Sequence, residues 1–235
     1  MLKSDTYLDK KIGAIVKANN DAQRANHKSS GKLSASGLND PLQWQMLHSL
    51  GVETGEIDEY TLRKFLRGNH VEDWYVEQIK PIETQKFVEY RETVGYVDAI
   101  VDTSLFDFPS GVIPFEIKSV SNMKYKRIDK QGPDKGHCLQ AAFYATALQN
   151  PHFAVSYVAT DDYRIKTYIL DVHDYKDEID GIITRFLEQK KTGKVPVFEA
   201  REKWQSSKEY NRYSDWMELD EEEIAKKLKV AKLTQ

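Results

Sequence analysis

The chain has one cysteine, Cys138, in 235 residues. An internal disulfide framework is therefore excluded, which fits a reducing cytoplasm. A cysteine-held iron–sulfur cluster takes about four thiolates, so none can be built within one chain. Long apolar runs are missing too, and nothing approaches the roughly 20 residues of a membrane helix. The opening residues Met1-Leu2-Lys3-Ser4-Asp5 lack the apolar core of a secretory signal. These absences lead to the expectation of a cytoplasmic protein with no membrane partner. Excess positive charge is also lacking: 34 Lys and Arg face 37 Asp and Glu. That balance counts against a general nucleic-acid coat protein, but leaves room for a local basic patch. No internal repeat or low-complexity linker is found.

What is present suits a folded globule, with 40% hydrophobic and 11% aromatic residues. The pattern predicts an amphipathic helix over about Leu8 to Ala25 and a polar loop from Asn26 to Lys32. A helix through Leu50 follows, capped by Ser36 or Asn39 with Pro41 in its first turn. One or two helices span Asp58 to Ile79, with a break near Gly68, and Pro81 ends the run. Strands are expected at Lys86–Val94, Tyr96–Asp102 and Val112–Val120, the first two forming a hairpin across Thr93–Gly95. Lys124 to Lys135 reads as a basic loop, and His137 to Gln149 as a helix bounded by Gly136 and Pro151. Strands Phe153–Thr160 and Arg164–Val172 and a helix over Asp174–Lys191, closed by Gly193, complete the order. Glu218 to Lys229 reads as a solvated helix, with acids early and lysines late as the helix dipole prefers.

Three strings stand out: Gly95-Tyr96-Val97-Asp98, Glu116-Ile117-Lys118 and Gln140-Ala141-Ala142-Phe143-Tyr144. Asp98 and Glu116 lie on strands otherwise rich in apolar residues. Unpaired carboxylates are costly to bury, so the choice is between a structural salt bridge and a seat for a hard cation. Lys118 follows Glu116 by two residues and so shares its face of the strand. From there an ammonium reaches an attacking water or a phosphate. Asp102, four residues after Asp98, is a rival acid on the same face. Gln140 and Tyr144 are four apart on a helix, and His137 adds a third member three residues earlier. This polar stripe either walls a site or faces solvent. Lys124, Tyr125, Lys126, Arg127, Lys130 and Lys135 suit phosphate contact with base stacking, or a solvated loop.

These residues, in this order, resemble the motifs of the PD-(D/E)XK nuclease superfamily on its RecB-like exonuclease branch. The resemblance runs from about Gly68 to Tyr144. Asp98 matches the second motif, Glu116 and Lys118 the Glu-x-Lys third motif, and Gln140 and Tyr144 the Gln-x-x-x-Tyr fourth. Arg67-Gly68-Asn69-His70-Val71-Glu72 resembles the Gly-x-x-x-Glu first motif of phage-type exonucleases. Glu72 and His70 compete for that role. Two residues apart on a helix, they point about 200° apart, which sets one against the other for a single ion, and the spacing from Gly68 favours Glu72; a helix starting near Val71 would let both approach the site.

The resemblance implies a restriction-endonuclease-like α/β core, a mixed central β-sheet flanked by helices, with helical N- and C-terminal elaborations. Residues 1–67 would form the N-terminal helical region, 68–192 the core and 193–235 the tail of one nuclease domain. It implies Mg²⁺ or Mn²⁺ held by Glu72 or His70, Asp98, Glu116 and the Ile117 carbonyl, with DNA as partner and substrate. His137 and the basic segment would contact DNA. Exonuclease action in recombination, repair, CRISPR adaptation or phage replication is the implied activity. A decayed DNA-binding module and a metal-dependent phosphate-ester hydrolase stand as alternatives.

A weaker likeness reaches both ends. CRISPR-associated adaptation nucleases carry one cysteine upstream and three near the C-terminus, which hold an iron–sulfur cluster. Here Ser34-Ala35-Ser36-Gly37-Leu38 fits the upstream segment, but Asp40-Pro41-Leu42-Gln43-Trp44 follows without cysteine. Trp204 to Tyr213 is similar to the cysteine-rich tail, with Ser or Asn where thiolates are expected. The chain then resembles a cluster-free relative in which some other packing ties the two ends together.

Overall fold

The computed structural model describes residues 13–15, 17–18, 30–52, 58–106, 111–207 and 213–233. Most of the helix expected before Ala25 lies outside the described residues.

Six strands form one mixed sheet: β1 (Leu33–Ser34), β2 (Glu83–Tyr90), β3 (Thr93–Asp102), β4 (Val112–Val120), β5 (His152–Ala159) and β6 (Ile165–Asp171). The order is β1-β3-β4-β5-β6, with β2 on the other edge of β3. β4 and β5 are parallel; β2–β3, β3–β4 and β5–β6 are antiparallel. Among the described residues, helices α1 (Leu42–Ser49), α2 (Glu59–Ile79), α3 (Asn122–Gln131), α4 (Lys135–Ala147), α5 (His173–Thr192) and α6 (Glu221–Leu233) accompany the sheet.

Two apolar cores cover the two faces. On one side Val71, Tyr75 and Ile79 of α2 pack on Val101, Phe115 and Ile117. Spacings of four residues put these helical side chains on one stripe. On the other side α1, α4 and α5 contribute Leu47, Phe143 and Phe186 against Val155 and Tyr157. β5 is buried along almost its whole length, as a central strand covered on both faces must be.

Four local expectations are corrected. α2 runs unbroken through Gly68 from its N-cap Asp58, whose side chain accepts the Thr61 N–H at 3.0 Å. The hairpin turns at Arg91–Glu92, both left-handed with φ 48° and 56°, and not at Thr93–Gly95. Two left-handed residues suit the two-residue turn that matches strand twist. The basic segment is helix α3 and not a loop. Ser121 caps it, Tyr125 and Ile128 bury one face three residues apart, and Gly132 and Pro133 end it. Neither Ser36 nor Asn39 caps α1. Pro41 stands at its N-cap, while Ala35–Gly37 form a 3-10 turn held by buried Gln45, which donates to the Gly37 and Asp40 carbonyls at 3.0 Å.

The two flanks are tied by a polar clasp. Buried Gln205 donates to the Asn39 carbonyl at 2.8 Å and accepts the N–H groups of Arg201 and Glu202 at 2.8 and 2.9 Å. Asn39 donates back to Glu202, and Arg201 to the Leu38 carbonyl. Buried Gln43 donates to the carbonyls of Pro196 and Trp216 at 3.2 and 3.1 Å. Trp44 stacks on Phe198 with ring centroids 5.8 Å apart. These contacts join the Ser34–Trp44 segment to the residues around Trp204.

Candidate active site

The site lies where two paired strands part. The β3–β4 ladder runs from Asp102↔Val112 to Ala99↔Phe115 and stops. Asp98 and Glu116 follow at the next rung, and the start of β3 pairs with β1 instead. The Asp98 carboxylate accepts the Ile117 N–H at 2.8 Å, so a side chain bridges the fork where the ladder has ended. Opposite Asp98 on β2, Gln85 adopts a left-handed backbone with φ 50°, and its side chain hydrogen-bonds the same carboxyl. Such a conformation costs a non-glycine residue about 1–3 kcal/mol and persists only where its surroundings impose it.

Glu116 has no solvent exposure. The Lys118 ammonium pairs with its Oε1, and Oε2 has no hydrogen-bond partner among the described residues.

Glu72 arrives from α2 and accepts the N–H and hydroxyl of Ser119 at 3.2 and 3.1 Å. Gly68, one turn earlier, faces the same serine: a Cβ there would lie 2.8 Å from the Ser119 hydroxyl. The glycine thus lets the helix approach until Glu72 reaches β4, which gives the Gly-x-x-x-Glu spacing a steric reason. His70 is exposed. Asp102 is turned away as well, accepting the N–H and hydroxyl of Ser104.

From α4, Gln140 donates to the Tyr144 hydroxyl at 2.8 Å. Tyr144 is buried over Gly95, where a Cβ would stand 2.7 Å from its ring and 2.8 Å from Ala35. Gly95 is therefore a clearance residue within a strand.

Burial, first, and repulsion from Asp98 and Glu72 push the Glu116 carboxyl up to about 8, against the pull of Lys118. Burial likewise raises Asp98 and Glu72 above ordinary carboxyl values. Desolvation works against the Lys118 charge, but Glu116 and Asp98 outweigh it and hold the ammonium above its usual value. Burial pushes the Tyr144 hydroxyl up, so it keeps its proton.

Three crowded acids face one lysine. Among the described residues no three acid, histidine or cysteine side chains are already gathered around a point where an ion would sit. The orphaned Glu116 Oε2 and the surplus of carboxylate oxygens nevertheless fit a hard divalent cation in chemistry.

A raised carboxyl pKa has a definite sign. Between pH 4.5 and about 8 the folded chain holds a proton on Glu116 that the unfolded chain has released. Cation-free stability therefore falls as pH rises through that window, by at most about 5 kcal/mol at about 1.4 kcal/mol per unit. A cation that binds ionised carboxylates reverses the loss. Mn²⁺ is expected to raise the unfolding temperature by several degrees near pH 8.5 and barely near pH 5.5. The shift should vanish in Glu116→Gln. Equal shifts at both pH values, or a shift retained in that variant, would count against Glu116 as a ligand.

The basic residues divide. Lys124 and Arg127 both pair with Asp134 at 2.7 Å, and Lys135 pairs with Glu178 at 2.9 Å. Lys126 and Lys130 are exposed on α3. Tyr125 is not a stacking platform: it is buried, donates to the Ile165 carbonyl at 3.0 Å and lies under Arg164. His137 lies at the start of α4, with Nδ1 3.0 Å from the Tyr157 hydroxyl. Gln85, Ser119 and Tyr157 are the site-side residues that sequence reasoning missed. Each owes its place to strand register, which no local pattern announces.

Among the described residues, no helix is long and apolar enough to cross a membrane. No protein-family model and no curated protein matches the chain. Solved structures do. The alkaline exonuclease LHK-Exo from Laribacter hongkongensis aligns with a TM-score of 0.53 at 15% identity, covering 70% of this chain and 90% of its own. LHK-Exo in complex with dAMP aligns at 0.52 and 15%, covering 69% and 89%. SSO0001 aligns at 0.51 and 16%, covering 87% and 95%. What these structures share with the chain is the fold, a mixed sheet flanked by helices in the restriction-endonuclease-like arrangement.

Proposed function

We propose that the protein is a divalent-metal-dependent deoxyribonuclease, an exonuclease acting on single-stranded or end-bearing DNA. The observation that carries this reading is the fork. Asp98, wholly buried Glu116 and Lys118 converge there with Glu72, on the fold of an alkaline exonuclease. The dAMP bound to LHK-Exo supports a nucleotide-containing substrate for the fold.

Glu72, Asp98, Glu116 and the Ile117 carbonyl would hold Mg²⁺ or Mn²⁺. Such an ion supplies charge neutralisation at phosphate and a lowered pKa for water. The chain's own groups do the rest. Lys118, once drawn off Glu116, places a compact positive charge where negative charge develops on the phosphodiester. Gln140 fixes the Tyr144 hydroxyl, which remains protonated and can donate to a phosphate oxygen. Lys126 and Lys130, exposed on α3, would offer phosphate contacts, and processing of DNA ends in recombination, repair or phage replication is the setting such an activity suits.

The test is digestion of end-labelled linear, circular and single-stranded DNA with and without Mn²⁺. Mn²⁺-dependent loss of linear DNA, with circles spared, is the expected result; no cleavage of any form would remove the reading. In the same assay Glu72→Ala is expected to lose about 10²-fold or more, and His70→Ala to stay within about twofold. A dead His70→Ala beside an active Glu72→Ala would reverse the assignment.

A further inference from the structure

Next to the acids, but outside the set that would hold an ion, a tyrosine, a histidine and a backbone amide form a buried relay with one consistent proton arrangement. Tyr157 of β5 is the register partner of Lys118 on parallel β4, and it has no solvent exposure. Side chains at paired positions of adjacent strands point to the same face. The ring therefore lies beside the lysine, on the side that α4 covers. Its hydroxyl reaches the His137 Nδ1 at 3.0 Å and the Asp134 N–H, also at 3.0 Å.

The backbone N–H can only donate, so the Tyr157 oxygen accepts from it. The hydroxyl then has one proton, and His137 Nδ1 stands within reach of it. Were Nδ1 protonated, the oxygen would face two donors and its own buried proton would have no acceptor among the described residues, which is costly. The arrangement that satisfies all three groups has Tyr157 donating to a bare Nδ1, with the imidazole proton on Nε2.

The charges around the ring act against an imidazolium. Lys118 on β4 and Lys124 and Arg127 on α3 repel it. Asp134, before α4, favours it but is shared with Lys124 and Arg127. Burial, first, and these cations pull the imidazole down to about 3.

We infer that His137 is a neutral hydrogen-bond donor through Nε2–H to a phosphodiester oxygen of the substrate, and that Tyr157 is the positioning residue that sets its tautomer. The phosphate role rests on the nuclease reading; the tautomer does not. His137 precedes Gln140 by three residues on one face of α4 and keeps 22% of its side chain exposed, so the ring borders the site without being sealed off. A neutral donor suits this position. It recognises a phosphate oxygen without adding a charge beside Lys118.

The experiment has two arms. In the first, ¹⁵N-histidine-labelled protein is titrated by NMR, and the His137 signals are identified among the six histidines by their loss in His137→Gln. The expected result is the Nε2–H tautomer, neutral from about pH 8 down to about pH 5. In Tyr157→Phe, which keeps the ring and its packing, the tautomers should mix and protonation should move toward ordinary histidine values. An Nδ1–H tautomer in the wild type, or titration near pH 6.5, overturns the relay.

In the second arm, cleavage of single-stranded DNA in Mn²⁺ should fall about 10²-fold in His137→Ala and about tenfold in Tyr157→Phe. His137→Gln, which retains a neutral donor, should recover most of the loss. Tyr157→Phe should also gain an acidic limb in its pH profile, which a merely structural tyrosine would not produce. Unchanged cleavage in His137→Ala, or the same loss in His137→Gln as in His137→Ala, overturns the donor role. A wild-type protein that cuts no DNA overturns the nuclease reading and the phosphate role with it, while the NMR result decides the tautomer by itself.

Discussion

Glu116→Ala is expected to reduce Mn²⁺-dependent cleavage by about 10³-fold or more while the protein stays folded. Among the described residues Glu116 is the acid most fully withdrawn from solvent, and its Oε2 has no hydrogen-bond partner there. Its loss would remove a proposed ion ligand and the group that pairs with Lys118. The same loss relieves a crowded trio of carboxyls, so the cation-free variant should unfold no lower than wild type near pH 8. Glu116→Gln separates charge from volume, because it keeps the shape and should be nearly as inactive. A folded Glu116→Ala protein within about tenfold of wild-type activity would sink the metal-site assignment, since Asp98 alone would then remain at that rung of the fork.

Lys118→Ala should lose cleavage by about 10²–10³-fold yet still bind DNA in Ca²⁺. Ca²⁺ takes oxygen ligands with looser geometry than Mg²⁺, so the three acids can still seat it without supporting chemistry. Lys126 and Lys130 are untouched, and binding by gel shift should therefore part from cleavage. Lys118→Arg should rescue poorly. The planar guanidinium is a fork where the site has room for a compact ammonium, 28% exposed and pressed against a buried carboxylate. Normal cutting by Lys118→Ala would show that the Glu-x-Lys spacing is structural. The Lys118–Glu116 contact would then be an ordinary buried ion pair.

The acids and the lysine were legible in the sequence because charged residues on apolar strands are conspicuous, and period two fixes which of them share a face. Glu72 was legible as a spacing from Gly68, but the reason for that glycine was not. It answers to Ser119, 51 residues away, as Gly95 answers to Tyr144 across 49. Glycine punctuates turns so often that both positions read as breaks; here both are clearances within regular elements. α3 was misread for a related reason. Its lysines and arginine suggested a loop, while the three-residue spacing of Tyr125 and Ile128 already described a helix face. The Arg91–Glu92 turn carries no glycine, asparagine or proline, and only the pairing of β2 with β3 shows it. Tyr157 and Gln85 enter the site because they stand opposite Lys118 and Asp98, and register is a property of the assembled sheet.

The clasp between the two flanks changes what the cell must provide. Amide and guanidinium hydrogen bonds, with Trp44 on Phe198, contain no thiolate and no metal. The one cysteine is buried, with its thiol pushed up to about 11 by burial, so little of it is thiolate at neutral pH. Closure of this kind calls on no iron supply and no loading machinery after synthesis. Iron starvation, which dismantles thiolate-bound clusters, has no purchase on it. A chelator added to the protein should therefore leave the clasp closed, and cleavage should return with Mn²⁺ without refolding.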